Sequence, residues 1–233
     1  MNYYKINVTY EAGKRDWTGE ESLKIIDSAN SEANLTSDEF PDFDPLFAKM
    51  YISGDVTDVV QKAITGGVGF TINKKLKNIF KEFNLFNVKI YPIGLATNYD
   101  TEVDLEIEYF WLQLIEAPYL DWIDYESSKF SLMDISSGFI SKKIKELIIK
   151  DKIDLEKEIA KSRESIDKDE DVFYELLKFN QKFSDLDIDL FYFFDIRDSK
   201  FARPIISERL KTRLEKENIT GFVFKKVNII TND

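Results

Sequence analysis

The chain has 233 residues and a mass of 27.3 kDa, the size of one domain or of two small intertwined halves. Lys and Arg number 32 against 43 Asp and Glu, a formal charge of −11. This argues against direct binding of nucleic acid, whose affinity comes largely from basic side chains on phosphates. Cysteine and histidine are both absent, which excludes disulfides, thiolate nucleophiles, Ser-His-Asp triads and metals held by Cys or His.

The opening residues MNYYKINVTY carry no basic segment leading into an apolar one, and no run of about 18 apolar residues occurs. The expected location is the cytoplasm, with no membrane partner, no cofactor and no metal.

Tyr4, Ile6, Val8 and Tyr10 alternate with Lys5, Asn7 and Thr9, the pattern of a half-buried strand. Residues 11–45 are polar and broken by Gly13, Gly19, Pro41 and Pro45. They read as loop, with a short helix near 20–27. Over 72–93 a helix precedes a strand. Asn73 is placed to cap, and Leu76, Ile79, Phe80 and Phe83 form one helical face. Asn84 is a stop suited to the left-handed conformation, and Pro92 breaks the strand or marks an edge. Val103, Leu105, Ile107, Tyr109 and Trp111 alternate with Asp104, Glu106 and Glu108. That is a long strand running from a one-sided into a fully buried environment.

Residues 130–135 form a shorter strand, and 138–150 fits a helix or a strand. Residues 150–171 are dense in charge, a solvated helix or excursion. Val172, Phe173, Leu176, Leu177, Asn180 and Phe183 predict an amphipathic helix. Residues 190–196 are almost continuously apolar, which predicts a central strand. Residues 207–218 form a helix capped by Ser207 with Leu210 and Leu214 on one face, and 222–230 a closing strand. The fold class is α+β, with a mixed or mostly antiparallel sheet in one compact unit over 1–233.

Residues 72–93 align with 206–227 without a gap. Leu76 falls on Leu210, Lys77 on Lys211, Phe80 on Leu214 and Ile90 on Phe224. Two readings stand: ordinary helix–strand units of similar periodicity, or an internal duplication with related halves at about 56–136 and 137–233.

These units carry a resemblance. Residues 189–227 hold an apolar strand, a helix start Ser207-Glu208-Arg209-Leu210, and Thr220-Gly221-Phe222 leading into the last strand. Residues 109–130 hold a strand and then an acidic-aromatic segment with Asp121, Asp124, Glu126, Ser127 and Ser128. Together with the first unit ending Tyr91-Pro92-Ile93, this is similar to the bacterial polymorphic-toxin immunity family numbered eleven, over roughly 56–227. The charged stretch 150–187 is longer than in that pattern, and Asn73 replaces its Ser. The resemblance implies an antidote that binds and blocks a toxin encoded beside it, with no catalysis. Asp124, Ser127, Ser207, Glu208, Arg209, Leu210 and Gly221 are then structural motif positions. The absence of a leader places the expected toxin in the cytosol, and the charge of −11 suits a basic toxin domain.

Two acidic clusters are candidate partner surfaces. Asp38, Glu39, Asp42 and Asp44 flank Phe40 and Phe43, either a hot spot for a basic partner or a surface loop whose Phe residues tuck into the core. Asp167, Asp169, Glu170 and Asp171 form a second run, which also suits a solvated helix start. Asp185, Asp187 and Asp189 lack the Gly and Glu of a calcium loop and read as outward acids at a strand entry. Gly66, Gly67 and Gly69 before Lys74 and Lys75 miss the phosphate-loop spacing and read as a turn before the helix. Tyr109, Phe110, Trp111, Tyr119, Trp122 and Tyr125 could stack sugars or bases, but their strand spacing favours core packing. Glu106 and Glu108 leave open a carboxylate-dependent hydrolase. A non-catalytic interaction module of another defence or regulatory system is a further alternative.

Overall fold

The computed structural model describes residues 2–9, 12–16, 24–25, 28–61, 66–136, 142–164, 169–193, 203–227 and 229–230. The fold is α+β, built on three sheets. The first is six-stranded, in the order β2 (Lys14–Asp16), β3 (Met50–Ser53), β6 (Val88–Asn98), β7 (Asp104–Leu114), β5 (Val68–Asn73) and β4 (Val59–Val60). The second is four-stranded, in the order β11 (Leu190–Phe193), β12 (Arg203–Ser207), β1 (Tyr3–Val8) and β13 (Phe222–Lys226). The third runs β14 (Ile229–Ile230), β10 (Glu170–Lys178), β8 (Lys129–Asp134) and β9 (Lys142–Leu147). Pairing is antiparallel except between β3 and β6 and between β10 and β14. The helices are α1 (Lys74–Phe80), α2 (Lys152–Glu164), α3 (Gln181–Asp185) and α4 (Glu208–Lys216). None among the described residues is long and apolar enough to cross a membrane.

The first two sheets contain one arrangement twice. Strands β4, β5, β7 and β6 lie side by side, with α1 between β5 and β6 in the chain; β11, β12, β1 and β13 repeat that order around α4. The registers coincide as well. Phe110 stands opposite Ile72 and Pro92, and Tyr4 opposite Ile206 and Lys226, so both partners lie 134 positions further on (206 − 72 and 226 − 92). The N-terminal strand β1 thus fills in the second unit the slot that β7 fills in the first. The parallel neighbour recurs too: Met50 pairs with Ala96, and Lys178 with Ile230.

Each helix follows from its cap and apolar stripe. The Asn73 side chain accepts from Leu76 N at 3.0 Å, and Ser207 Oγ accepts from Leu210 N at 3.1 Å. Leu76, Ile79 and Phe80 of α1 and Leu210 and Leu214 of α4 are buried together with Ile6, Ile72, Phe110, Leu112, Leu190 and Ile206. This shared core lies between the two units. Lys77 lies over the Phe110 ring at 3.5 Å, and Lys211 over Tyr4 at 5.0 Å, matching positions in both units. On the other face of the second sheet, Tyr3, Phe191, Phe193 and Ile205 join Trp122, Phe130, Tyr174, Phe179 and Phe183 in an aromatic core that also takes in Leu155 of α2.

Several expectations are corrected. The helix predicted over 172–183 is β10, followed by the short α3. A register shift between Tyr174 and Leu176 makes Val172, Tyr174, Leu177 and Phe179 the buried set, and that irregular spacing imitates a helical stripe. The ambiguous 138–150 contains the strand β9, and its residues 137–141 lie outside the described residues. Strand β11 is an edge of its sheet, not its centre. Its Leu190, Phe191, Tyr192 and Phe193 are apolar throughout because packing covers both faces. Asn84 is not a left-handed stop; α1 ends at Phe80, and the first left-handed residues after the helices are Asn87 after α1 and Asn218 after α4. Residues 11–45 hold strand β2 as well as loop, and only 24–25 of the predicted helix near 20–27 are described.

Candidate interaction surfaces

The acidic loop is built from beneath. Leu35, Phe43 and Phe47 pack on Tyr91 and Trp111, on the face of the six-stranded sheet turned away from α1. Gln113 Nε2 donates to Thr36 O at 2.8 Å, and Glu116 N donates to Ser37 O at 2.8 Å. The Tyr192 hydroxyl is hydrogen-bonded with the Ser37 side chain; burial, with Glu116 nearby, pushes its pKa up to about 12. The buried Glu32 accepts from Ala48 N at 2.9 Å and closes the loop at its base.

On this frame Asp38, Glu39, Asp42 and Asp44 are exposed, while Phe40 and Phe43 are half-buried. Phe43 belongs to the core beneath. Phe40 lines a groove of about 270 Å³ with Asn34, Thr36, Glu39, Pro41, Asp42 and Phe43. The groove can take the stem of a long basic side chain against the rings and its charged head between Glu39 and Asp42.

The second acidic run is not a helix start. Glu170 and Asp171 begin β10, opposite Asp134 and Met133, and Asp169 O accepts from Ile135 N at 2.6 Å. Asp167 lies outside the described residues.

The motif positions are structural joints. Asp124 accepts from Ser127 N at 3.1 Å and stands 3.8 Å from Lys178 Nζ. Ser128 Oγ accepts from Lys178 N at 3.0 Å, which ties this turn to β10. Glu208 accepts from Asn2 Nδ2 at 3.0 Å and Tyr4 Oη at 3.2 Å. Gly221 adopts φ 93°, and a Cβ there would lie 2.5 Å from Val59 O, so only glycine fits. Gly69 is in strand β5, where a Cβ would lie 2.0 Å from Leu112 O. The glycine-rich segment therefore bends at Gly67 and enters β5 by close backbone approach, and that strand separates the bend from the helix.

Asp189 is not an outward acid. It is fully buried and accepts from Ser207 Oγ at 2.6 Å, Arg209 Nε at 2.9 Å, Arg209 Nη2 at 2.6 Å and Asn84 N at 3.0 Å. Its backbone oxygen accepts from Ser207 N at 2.9 Å. Asp58 is its counterpart. Its backbone oxygen accepts from Asn73 N at 2.9 Å. Its carboxylate accepts from Asn73 Nδ2 at 2.8 Å, Thr220 N at 2.8 Å and Thr220 Oγ1 at 2.9 Å. Each aspartate thus ties its own unit's helix cap to the segment that follows the other unit's helix. Sequence reasoning missed this pair; the available signal was an Asp just before an apolar strand in both units.

Glu106 and Glu108 line one groove, of about 340 Å³, with Asn73, Lys74, Lys75, Leu95 and Ile107. Lys74 Nζ is 3.6 Å from Glu108, whose side chain is 40% exposed. Of the aromatic set, Tyr109, Phe110, Trp111, Tyr119 and Trp122 are buried and Tyr125 is partly so. They form core, not a stacking platform. Among the described residues, no three acidic side chains are placed to hold a metal ion. Compared with protein-family models and with curated proteins, the chain matches none.

Proposed function

We propose that the protein is an antitoxin of the immunity type, which neutralises a basic toxin domain in the cytoplasm by binding it, without chemistry of its own and without binding nucleic acid. The observation that carries this reading is the loop at 36–44. Four exposed carboxylates stand on a backbone fixed to two sheets, a preset negative patch that attracts a basic partner. The resemblance to the immunity family supports the same reading. The charge of −11 steers a basic partner, with association rates up to roughly 10⁸–10⁹ M⁻¹s⁻¹ at low salt.

The test is genetic. The toxin domain encoded beside this chain, as the resemblance implies, is expressed with and without it. Restored growth together with a co-purifying complex supports the reading. Undiminished killing contradicts it, as does a periplasmic location of the protein.

A hydrolase is the second reading, favoured by one observation, the groove shared by Glu106 and Glu108. Both acids are open to solvent, unlike an enclosed acid–base pair. Glu106→Gln and Glu108→Gln leave protection intact if the protein acts by binding, and abolish it if the groove is catalytic.

A further inference from the structure

Strands β6 and β7 end in a hairpin arm, residues 94–108, paired with each other from Gly94–Tyr109 to Thr97–Asp104 and flanked by β3 at Ala96 to Asn98. Between the pairs Leu95–Glu108 and Thr97–Asp104 the strand β7 carries two extra residues, and Glu106 within that bulge has φ 53°. The tip is held by Asn98, whose side-chain oxygen accepts from Asp100 N at 3.0 Å and Thr101 N at 2.9 Å. Asn98 N donates to Val103 O at 2.8 Å, and Tyr99 N to Ile52 O at 3.0 Å. The arm is therefore a braced end of the sheet.

Its exposed apolar side chains stand among acids, whereas the exposed Ile144, Ile148 and Ile153 stand among Lys142, Lys145, Lys150 and Lys152 in the sequence. Leu95 is 56% exposed, Tyr99 40% and Val103 58%. Asp100, Glu102, Asp104 and Glu106 stand exposed among them. Leu95 also opens into the groove formed with Lys74, Glu106 and Glu108. Three large apolar side chains on one hairpin, rimmed by carboxylates, have the make-up of an interface centre. The loop at 36–44 has carboxylates too, but its Phe43 is spent on the protein's own core. The second unit has no such hairpin, because its counterparts of β6 and β7 are joined by no chain: β13 and β14 lie at the end of the sequence and β1 at its start.

We propose that the arm at 94–108 is where the toxin domain docks, with Leu95, Tyr99 and Val103 at the centre of the contact and the surrounding carboxylates matched to Arg and Lys of the partner. This rests on the antitoxin reading. The acidic loop, over the opposite face of the sheet, then contributes long-range attraction and not the contact.

The experiment uses the full chain and the toxin domain encoded beside it. Amide hydrogen exchange compares the free protein with the complex, and surface binding kinetics compare wild type with two variants. Expected are slowed exchange over 94–108 and, for Leu95→Ser with Val103→Ser, dissociation at least tenfold faster with an unchanged melting temperature. Asp38→Asn with Asp42→Asn and Asp44→Asn lowers only the association rate. Protection confined to other segments, in a complex that forms, overturns the arm and leaves the antitoxin reading standing. A toxin that kills and forms no complex overturns both.

Discussion

Asp189 takes all its carboxylate hydrogen bonds from Ser207, Arg209 and Asn84 while fully buried. A buried carboxylate that loses its charged partner keeps the desolvation cost, so Arg209→Met is expected to destabilise by on the order of 3 kcal/mol. Urea unfolding checks this. Ser207→Ala removes a bond to Asp189 and the cap of α4 and costs about 0.5–2 kcal/mol, and Leu210→Ala, fully buried, costs about 2–5 kcal/mol. A neutral Leu210→Ala would mean that this face of α4 does not pack. Tyr192 adds a pH dependence. Its hydroxyl, ordinarily near 10, is held up at about 12 by burial, so folding favours the neutral form. The contribution is complete below pH 10 and is lost as pH rises towards 12. Burial raises Tyr3, Tyr109 and Tyr125 likewise. Thermal unfolding followed across that range is expected to show a falling melting temperature.

At the scale of elements, what could be read from sequence is what obeys one period. α1 and α4 were legible because a polar cap precedes an i, i+3, i+4 stripe, and β1 and β7 because they alternate. Strand β10 was not, because its register shift turns a period of two into a spacing that resembles a helix. The acidic loop was visible as composition, but its anchors were not. Gln113, Glu116 and Tyr192 reach it from distant positions in the chain. The half of the hairpin arm from Val103 reads as plain strand, since nothing in the alternation from Val103 to Trp111 announces the bulge at Glu106. A testable consequence of the loop's position is that Asp38→Asn, Asp42→Asn and Asp44→Asn together leave the melting temperature within a degree or two, since exposed charges contribute little to stability. Circular dichroism against temperature checks it.

For the molecule as a whole, the two units are joined twice over, through their shared helical core and through the reciprocal Asp58 and Asp189 contacts. The sequence match between 72–93 and 206–227 covers the helix and the strands on either side of it in each unit. It could not show that β1 completes the second unit, because β1 lies at the opposite end of the chain from β13. That arrangement makes a prediction: a permuted chain in which residues 1–9 follow residue 233 through a short Gly/Ser linker should fold, since the first unit has its strands in that order. Loss of the cooperative unfolding transition would contradict it.

Neutralisation by binding alone can be checked by titrating the toxin domain's activity with this protein. A linear fall to zero at one equivalent is expected, unchanged by longer incubation. Inactivation that continues with time at a small fraction of an equivalent would contradict it, because only a catalyst can act repeatedly.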